Sequence, residues 1–343
     1  MDMTQGRSRS VTVVITQRET FSRTRLALQS VLAEVSRSVP IVYIDGGSPE
    51  SVRSYLQTEA ERWRFTLVRT ERYLSPNEAR NLGLDHADTK YVVFIDNDVL
   101  VAPGWMDALV ECAEETGAWL VGPLYCEGLP PHRRVHMAGG LAHITEEGGR
   151  RHLHEEHFLP GRRVAEISDT LQRRPTELLE FHCLLARAET FDRLGRLDEA
   201  LLSMPEHVDL CLAVQAAGGS IFIEPRALVT FMPPPPFALS DIPFFALRWS
   251  PDWNRSSVEH FVRKWNLGSD ALAFQSQFLD YHRHLYYHKV GLFWPWGGLR
   301  RLGLRPVARA IDKMMDIAME RAVLRGARRR RTNPEPSLVR TVK

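Results

Sequence analysis

The first 125 residues alternate between two hydrophobic periods. Short runs of β-branched and aromatic residues, such as Val11–Thr16 (VTVVIT) and Tyr91–Asp96 (YVVFID), are typical of buried strands. Residues 24–35 instead place Leu28 and Val31 at helical spacing. The same patterns predict further strands at residues 40–45, 65–69 and 118–125, and further helices at residues 48–61, 75–87 and 103–116. Strands that alternate with helices indicate βαβ units, and therefore an α/β fold with a mostly parallel, Rossmann-like sheet and flanking helices.

Polar clusters follow four of the predicted strands. They lie at residues 16–19 (TQRE), 45–48 (DGGS), 72–77 (RYLSPN) and 96–98 (DND). Because ligands of doubly wound sheets bind beyond the carboxyl ends of the strands, we expect the four clusters to converge on one crevice. No GxGxxG sequence follows any strand, so the dinucleotide-binding fingerprint is absent.

The rest of the chain is less regular. Residues 127–180 are rich in His, Arg and Gly and are expected to form hairpins and loops. Strands are predicted at residues 178–186 and 220–225, with helices between them, before a proline-rich break. The predicted division is a flexible N-terminus (1–10), an α/β half (11–126), a second half (127–235), a C-terminal aromatic and helical extension (236–326) and a basic disordered tail (327–343).

The charge of the chain is unevenly distributed, although the formal net charge is only +2. Residues 297–343 carry 13 Lys and Arg against 4 Asp and Glu, out of totals of 44 and 42. The cysteines are scattered without a CxxC pair, which favours a reducing compartment; they are Cys112, Cys126, Cys183 and Cys211. Neither a signal sequence nor a run of about 18 apolar residues is visible, so we expect a cytoplasmic protein.

Two carboxylates, Asp96 and Asp98, directly follow a strongly apolar strand. Because two like charges repel each other and are costly to bury, a positive partner is expected. Mg²⁺ and Mn²⁺ bind carboxylate and phosphate oxygens together, and they can neutralise the charge that develops on a phosphate leaving group. A solvated turn is the alternative, since Asp and Asn are common in turns. The preceding strand and the convergent clusters favour a divalent metal that arrives with a nucleotide.

Five segments, in this order, resemble glycosyltransferase family 2. They are VTVVITQRE, VYIDGGSPE, NEARNLGL, YVVFIDNDVLVAPGWMDALV and EFHCLLARAETFDRLGRLDEALLSMPEHVDLCLAVQAAGG. The resemblance covers residues 11–126 and 178–230. It implies a GT-A fold, in which a nucleotide-sugar-binding half (11–126) precedes an acceptor and catalytic-base half (127–235). It also implies sugar transfer from a nucleotide-diphosphate donor, usually with inversion and with Mg²⁺ or Mn²⁺.

The resemblance further implies roles for individual residues. Asp98 would bind the metal directly, and Asp96 would contact the ribose or a metal-bound water. Asp45 would accept a hydrogen bond from the nucleobase, for which the N3–H of uracil is the obvious donor. Arg80 would lie near the base or the diphosphate, unless it is only a charge on a helix surface. The predicted nucleotide site is completed by Thr16, Gln17, Glu19 and Asn97.

The catalytic base is where the chain departs from the family. Family members commonly have Glu-Asp before the helix that supplies the base, whereas this chain has Glu206 followed by His207. An imidazole with its ordinary pKa near 6.5 accepts a proton at neutral pH, so His207 is one candidate. Glu206 is the other, unless it only orients His207. Asp209 is a third candidate in the catalytic segment, although a residue at this position more often caps the helix or stabilises the loop.

Several residues of the second half are candidates for the acceptor site or for a metal. Six histidines lie close together in the sequence: His132, His136, His143, His152, His154 and His157. A zinc site is one interpretation, but their spacing fits no standard ligand pattern, which favours loop or acceptor-site histidines. Further acceptor candidates are His182, Trp249 and Trp253, because aromatic faces suit the apolar faces of sugars. Packing in the interior is the alternative for each of them.

The C-terminal segment combines apolar residues with many arginines, as does an interfacial helix on an anionic membrane. A helix that packs on the body is the alternative. Nucleic-acid binding is not expected, because no aromatic and basic platform accompanies the RRRR sequence.

We therefore expect metal-dependent transfer of a sugar, from a UDP-sugar, to a hydroxyl of a glycan or glycolipid. The enzyme would be cytoplasmic and peripheral on the inner face of the plasma membrane. One alternative is a sugar-1-phosphate nucleotidyltransferase, which is disfavoured because residues 16–23 (TQRETFSR) are not rich in glycine. The other is a non-catalytic protein that binds nucleotide sugars.

Overall fold

The computed structural model describes residues 11–233, 238–268, 303, 305–332 and 338–341. In chain order its strands are β1 (Val11–Thr16), β2 (Ile41–Gly46), β3 (Thr66–Thr70), β4 (Tyr91–Asp96), β5 (Val99–Val101), β6 (Leu120–Glu127), β7 (Val135–Met137), β8 (Gly140–Glu147), β9 (Arg150–His157), β10 (Arg174–Pro175), β11 (Cys183–Arg187), β12 (Ile221–Phe231) and β13 (Leu338–Thr341). Except for the hairpin β8–β9, these strands belong to one sheet.

Helices flank this sheet and follow many of its strands. They are α1 (Thr24–Glu34), α2 (Glu50–Trp63), α3 (Pro76–Leu84), α4 (Trp105–Thr116), α5 (Val164–Ile167), α6 (Ala188–Leu194), α7 (Glu206–Ala216), α8 (Ile242–Arg248), α9 (Pro251–Trp265) and α10 (Arg305–Thr332). Two short 3₁₀ helices span Ser168–Thr170 and Leu239–Asp241.

The sheet has the order β10-β12-β6-β11-β4-β1-β2-β3-β13, with β5 paired to β12 and β7 paired to β6. Strands β4, β1, β2 and β3 are parallel to one another, and β11 runs antiparallel between β6 and β4. Strands β1, β2 and β4 are buried along their whole length, as expected for parallel strands covered on both faces. The predicted mostly parallel α/β fold with a helical C-terminal extension is confirmed.

Helix α3 lies close to the sheet and carries one of the predicted site residues, Arg80. A Cβ atom at Gly83 would lie 2.2 Å from Cγ1 of Val14, so the absence of a side chain permits the close approach to β1. The helix begins with a capping box, in which Ser75 and Glu78 satisfy each other's backbone N–H groups, as the sequence predicts. The close packing fixes the position of Arg80 relative to the ends of the strands.

Two element boundaries differ from the sequence prediction. Ser48 does not cap α2, because its N–H and hydroxyl groups donate to Asp45 while Pro49 occupies the cap position. The strand predicted from residue 178 begins only at Cys183. The five residues before it, 178–182, are not part of the strand. Leu178, Leu179 and Phe181 are buried in the core, and the polar residues Glu180 and His182 flank Phe181.

The prediction of a disordered tail from residue 327 is wrong for the described part of that segment. Helix α10 continues to Thr332, and Leu324 and Ala327 pack in a cluster with Phe244 and Trp253. Strand β13 then pairs antiparallel with β3. Apolar positions of α10 therefore pack on the body, which was the alternative that the sequence left open for this segment. Across the described ranges, no helix combines the length and apolarity that a bilayer crossing requires.

Some sequence predictions lie outside the described residues. They concern the flexible N-terminus (1–10), the prolines at 234–236, the aromatic and basic segment at 269–302 and residues 333–337 and 342–343 of the tail.

Candidate active site

The polar clusters at the ends of β1, β2 and β4 meet at one edge of the sheet. Thr16 lies beside Asp96 in the register of β1 and β4, and its carbonyl accepts the backbone N–H of Asn97 at 2.9 Å. Oε1 of Gln17 accepts the backbone N–H of Gly46 at 3.2 Å. Nε2 of Gln17 is buried and has no hydrogen-bond partner in the described part of the chain. The convergence expected from the strand order is thus observed for the clusters that follow β1, β2 and β4.

Asp96 and Asp98 are both buried at this edge, and arginines accompany them. Nη1 of Arg18 lies 3.3 Å from Oδ2 of Asp98, and Nη2 of Arg80 donates to Oδ1 of Asp96 at 3.4 Å. Burial raises the pKa of Asp98 well above its usual range, and the attraction of Arg18 only partly offsets this. Oδ1 of Asp98 is buried without a hydrogen-bond partner among the described residues.

The donor set at the acidic pair fits a divalent cation. Carboxylate oxygens of Asp96 and Asp98 and a ring nitrogen of His182 lie within 4.8 Å of one another. Nδ1 of His182 is 3.3 Å from Oδ2 of Asp96. Oxygen ligands suit Mg²⁺ and Mn²⁺, and the unsatisfied Oδ1 of Asp98 offers a direct ligand.

Asn97, predicted in the nucleotide site, binds the loop that follows β1. Its Nδ2 donates to the carbonyl of Thr20 at 2.7 Å and to the hydroxyl of Thr24 at 2.9 Å. Its Oδ1 accepts the backbone N–H of Arg18 at 3.1 Å. The side chain therefore shapes the loop that carries Arg18, and its nucleotide contact stays a prediction.

Asp45 lies at the end of β2 with its carboxylate already bound on both oxygens. Ser48 donates its N–H to Oδ1 at 3.0 Å and its hydroxyl to Oδ2 at 2.9 Å, and Arg69 forms an ion pair with Oδ2. Burial raises the pKa of Asp45, and Arg69 opposes this rise. A nucleobase would share this carboxylate with these partners. Arg69 was missed by sequence analysis, although a charged residue near the end of a buried strand was a usable signal.

Arg80 is not a helix surface charge, because its side chain is buried between the acidic pair and the start of α7. Its guanidinium contacts Asp96, as above, and lies 3.7 Å from Oε1 of Glu206. It also stacks on the ring of Phe181, with the guanidinium carbon 3.7 Å from the ring centroid. Burial lowers the pKa of Arg80, and the two carboxylates counteract this. The guanidinium therefore links two parts of the predicted site.

The three acidic and basic candidates on α7 have different surroundings. Oε1 of Glu206 accepts from Nη2 of Arg248 at 3.1 Å, in addition to its contact with Arg80. Asp209 accepts from Lys264 and from the indole N–H of Trp265, both at 2.8 Å. These contacts connect Glu206 to α8 and Asp209 to α9.

His207 differs from its neighbours on α7. It is half-buried, and its Nε2 has no hydrogen-bond partner within the described ranges. Oε2 of Glu206 also has no hydrogen-bond partner among the described residues, so Glu206 and His207 each keep one unengaged basic atom, whereas both oxygens of Asp209 are engaged.

The two predicted acceptor tryptophans are buried. Trp249 is 4% exposed and donates its indole N–H to Oε2 of Glu19 at 2.8 Å. Trp253 is 8% exposed and packs in the cluster with Phe244 and α10. Neither ring has an exposed face on which a sugar could stack. Both tryptophans pack in the interior, which was the alternative interpretation of the sequence. Glu19 joins Trp249 to Arg18, whose Nη1 lies 2.8 Å from Oε1 of Glu19, and its predicted place beside the nucleoside stays a prediction.

The predicted histidine cluster separates into groups. His136 and His157 lie with His182 around Glu180, near the acidic pair. His143 and His154 face each other across β8 and β9, with 5.0 Å between ring centroids. No sequence pattern predicts this grouping, because three different strands and the segment before β11 bring the side chains together.

Comparisons with known proteins agree with this architecture. Residues 11–164 match the family model described as "Glycosyl transferase family 2". The crystal structure of GalNAc-T7 with UDP, GalNAc and Mn²⁺ is similar, with a TM-score of 0.51 and 17% sequence identity over 80% of this chain and 54% of that chain. This likeness confirms the predicted GT-A fold.

Two kinds of curated relatives are also similar. An uncharacterised protein, y4gI, of Sinorhizobium fredii is 26% identical over 61% of this chain and 23% of its own length. A pre-mycofactocin glycosyltransferase of Mycobacterium tuberculosis is 27% identical over 64% of this chain and 42% of its own length. The matches therefore span less than half the length of these relatives.

Proposed function

We propose that the chain transfers a sugar from a UDP-sugar to a hydroxyl of a glycan or glycolipid, with the help of a divalent metal. The match of residues 11–164 to the glycosyltransferase family 2 model supports sugar transfer. The observation that carries the proposal is the buried acidic pair at the crevice, with the unsatisfied Oδ1 of Asp98. UDP and Mn²⁺ in the GalNAc-T7 structure support the donor and the metal class. The name of the mycobacterial relative supports sugar transfer.

The donor would be held from both sides of the acidic pair. Asp98 would bind the ion directly, and Asp96 would hold the ribose or an ion-bound water. The ion supplies a positive charge that stabilises the departing diphosphate. Arg18, whose side chain is 18% exposed and lies 3.3 Å from Asp98, would exchange that carboxylate for a donor phosphate.

His207 would remove the proton from the acceptor. The acceptor hydroxyl attacks the anomeric carbon from the face opposite the diphosphate, the bond from that carbon to the phosphate oxygen breaks, and the configuration inverts. The hydroxyl proton passes to the unsatisfied Nε2 of His207. Glu206, held by Arg80 and Arg248, would fix the start of α7.

A panel of nucleotide sugars with Mn²⁺ tests the proposal. Release of UDP from one or more UDP-sugars, with loss of release in Asp98→Asn, is the expected result. A chain that binds UDP with Mn²⁺ but never releases it from any UDP-sugar would be a binding protein, which contradicts the proposal. Release of pyrophosphate from a nucleoside triphosphate and a sugar 1-phosphate would instead identify a nucleotidyltransferase.

We also propose that the enzyme is cytoplasmic and contacts the inner face of the plasma membrane through the exposed arginines of α10, in a pathway of polysaccharide or glycolipid assembly. Arg325 and Arg329 are exposed on this helix, whereas Leu324 and Ala327 pack inward. The double variant Arg325→Gln/Arg329→Gln should bind phosphatidylglycerol vesicles more weakly than the parent. The control variant Arg62→Gln/Arg133→Gln removes two exposed arginines elsewhere. Equal binding by both variants would contradict the proposal.

A further inference from the structure

A partly buried carboxylate, that of Glu180, is surrounded by three imidazoles beside the acidic pair. Nε2 of His136 lies 3.0 Å from its Oε2, and Nε2 of His182 lies 3.4 Å from the same oxygen. Nε2 of His157 lies 3.9 Å from Oε1. The three histidines come from β7, from the end of β9 and from the residue before β11. Nothing in the proposed transfer reaction uses Glu180, His136 or His157.

Two of these imidazoles turn their other ring nitrogen to a second carboxylate. Nδ1 of His182 lies 3.3 Å from Oδ2 of Asp96, and Nδ1 of His136 lies 3.7 Å from Oε2 of Glu127. Histidines that bind metals in proteins usually have such an outer carboxylate, which fixes the tautomer and raises the basicity of the ligating nitrogen. Both rings thus present Nε2 inward to one shared oxygen.

We propose that His136, Glu180 and His182 form a second divalent-cation site, adjacent to the acidic pair and suited to Zn²⁺, in which His182 ligates through Nε2 while its Nδ1 faces Asp96. Their ligand atoms lie within 4.8 Å of one another. Two imidazole nitrogens and one carboxylate oxygen are a set that Zn²⁺ accepts, with a fourth position left for water, substrate or His157. The carboxylates at Asp96 and Asp98 suit harder ions, so the two sites differ in the metal they favour.

The charges around Glu180 are consistent with a cation at this place. Burial alone would raise the pKa of Glu180, but the three histidines hold it well below its usual range, so the carboxylate is ionised. Imidazoles ligate metals in the neutral form, and Nε2 of His182 lies 3.4 Å from Oε2 of Glu180. Burial would lower the pKa of His136, but Glu180 and Glu127 raise it to about 9. A bound cation would replace the proton of His136.

The site would be coupled to the acidic pair through His182. His182 contacts Asp96 with one ring nitrogen and Glu180 with the other, so a cation at Glu180 would orient a residue of the donor site through one imidazole. It would also fix β7, which carries His136, to the segment that leads into β11.

Titration of the full chain with Co²⁺ in the presence of excess Mg²⁺ tests the proposal. Co²⁺ serves as a visible probe of imidazole ligation, and calorimetry with Zn²⁺ gives the affinity. We expect Asp98→Asn to retain the Co²⁺ spectrum and His136→Ala to lose it. Glu127→Gln, which changes only the outer partner of His136, should weaken Zn²⁺ binding about 10- to 100-fold. The control variant His86→Ala removes an exposed histidine that is distant in sequence from the proposed site. It should bind Co²⁺ and Zn²⁺ as the parent does.

Two results would overturn the proposal. If His136→Ala and Glu127→Gln bind Zn²⁺ as tightly as the parent, the cluster is only a network of ion pairs. If Asp98→Asn abolishes the Co²⁺ spectrum while His136→Ala keeps it, the ion belongs to the acidic pair. Circular dichroism of each variant separates lost binding from lost folding. His136→Gln gives a second variant if His136→Ala does not fold. Metal binding is the readout throughout, so failure of the proposed transfer reaction would leave the test intact.

Discussion

Asp96 and Glu206 are held by the same buried guanidinium, that of Arg80. Its Nη2 lies 3.4 Å from Oδ1 of Asp96, and its Nη1 lies 3.7 Å from Oε1 of Glu206. These carboxylates are 110 positions apart in the sequence. Through these two contacts, Arg80 places the first turn of α7, and with it His207, at a defined distance from the acidic pair.

Replacement of Arg80 should therefore destabilise the fold. Arg80→Leu leaves two buried carboxylates without their shared partner, and we expect a loss of about 3 kcal/mol in the free energy of unfolding. Urea denaturation measures it. Arg80→Lys keeps the charge but loses the fork and the stacking on Phe181, so its loss should be smaller. A midpoint for Arg80→Leu equal to that of the parent would refute the role given to this residue.

Replacement of His207 should affect turnover and spare donor binding. His207→Ala removes the proposed base, and general-base catalysis contributes roughly 100- to 10,000-fold, so kcat should fall by that factor. The affinity for UDP with Mn²⁺ should stay that of the parent, which calorimetry measures. Glu206→Gln is the matched comparison on the same turn. If Glu206→Gln loses kcat while His207→Ala keeps it, Glu206 is the base.

The close approach of α3 to β1 gives a steric prediction. In Gly83→Ala the new Cβ would meet Cγ1 of Val14 at 2.2 Å, so the helix or the strand must shift, and we expect a loss of roughly 1–3 kcal/mol. Gly326→Ala is the control, because a Cβ atom there meets nothing within 4 Å and the residue lies inside helix α10. That control should be neutral or slightly stabilising. Equal thermal midpoints for both variants would contradict the packing.

Glu78 gives a prediction for stability against pH. Burial alone would raise its pKa, but Arg72 and Arg331 lower it below its usual value of 4.5. A carboxyl group whose pKa is lower in the folded chain stabilises the fold above its unfolded pKa, and this contribution is lost as the pH falls through the folded pKa. Glu78→Gln should therefore cost roughly 1–2 kcal/mol at pH 7.

The difference between Glu78→Gln and the parent should shrink as the pH falls below about 4.5. Chemical denaturation at pH 7, 5 and 3.5 measures it. A difference that stays constant over this range would show that the charge of Glu78 plays no part.

The sequence predicted the α/β half well because its signals are local. The alternation of buried strands with amphipathic helices is visible in stretches of about 10 residues. The carboxyl ends of parallel strands must then share one edge of the sheet. The convergence of Thr16, Asp45 and Asp96 follows from that rule alone. The capping box at Ser75 was predicted for the same reason, since both of its partners lie within one turn.

The partners of the site residues could not be predicted, because they come from distant parts of the chain. Arg248 reaches Glu206 from α8, and Trp249 reaches Glu19 across 230 positions. Arg18 lies within the segment that was predicted to border the nucleoside. Its ion pair with Asp98, however, depends on the conformation of the loop after β1, which Asn97 stabilises through a hydrogen bond to the backbone of Arg18. No periodicity encodes such contacts.

The central claim is that the carboxylate of Asp98 holds a divalent ion against a nucleotide diphosphate, and calorimetry of UDP binding with and without Mn²⁺ tests it most directly. Mn²⁺ should strengthen UDP binding by the parent about tenfold or more, and Asp98→Asn should bind UDP equally with and without the ion. Binding of UDP by Asp98→Asn that is as tight and as Mn²⁺-dependent as that of the parent would contradict it.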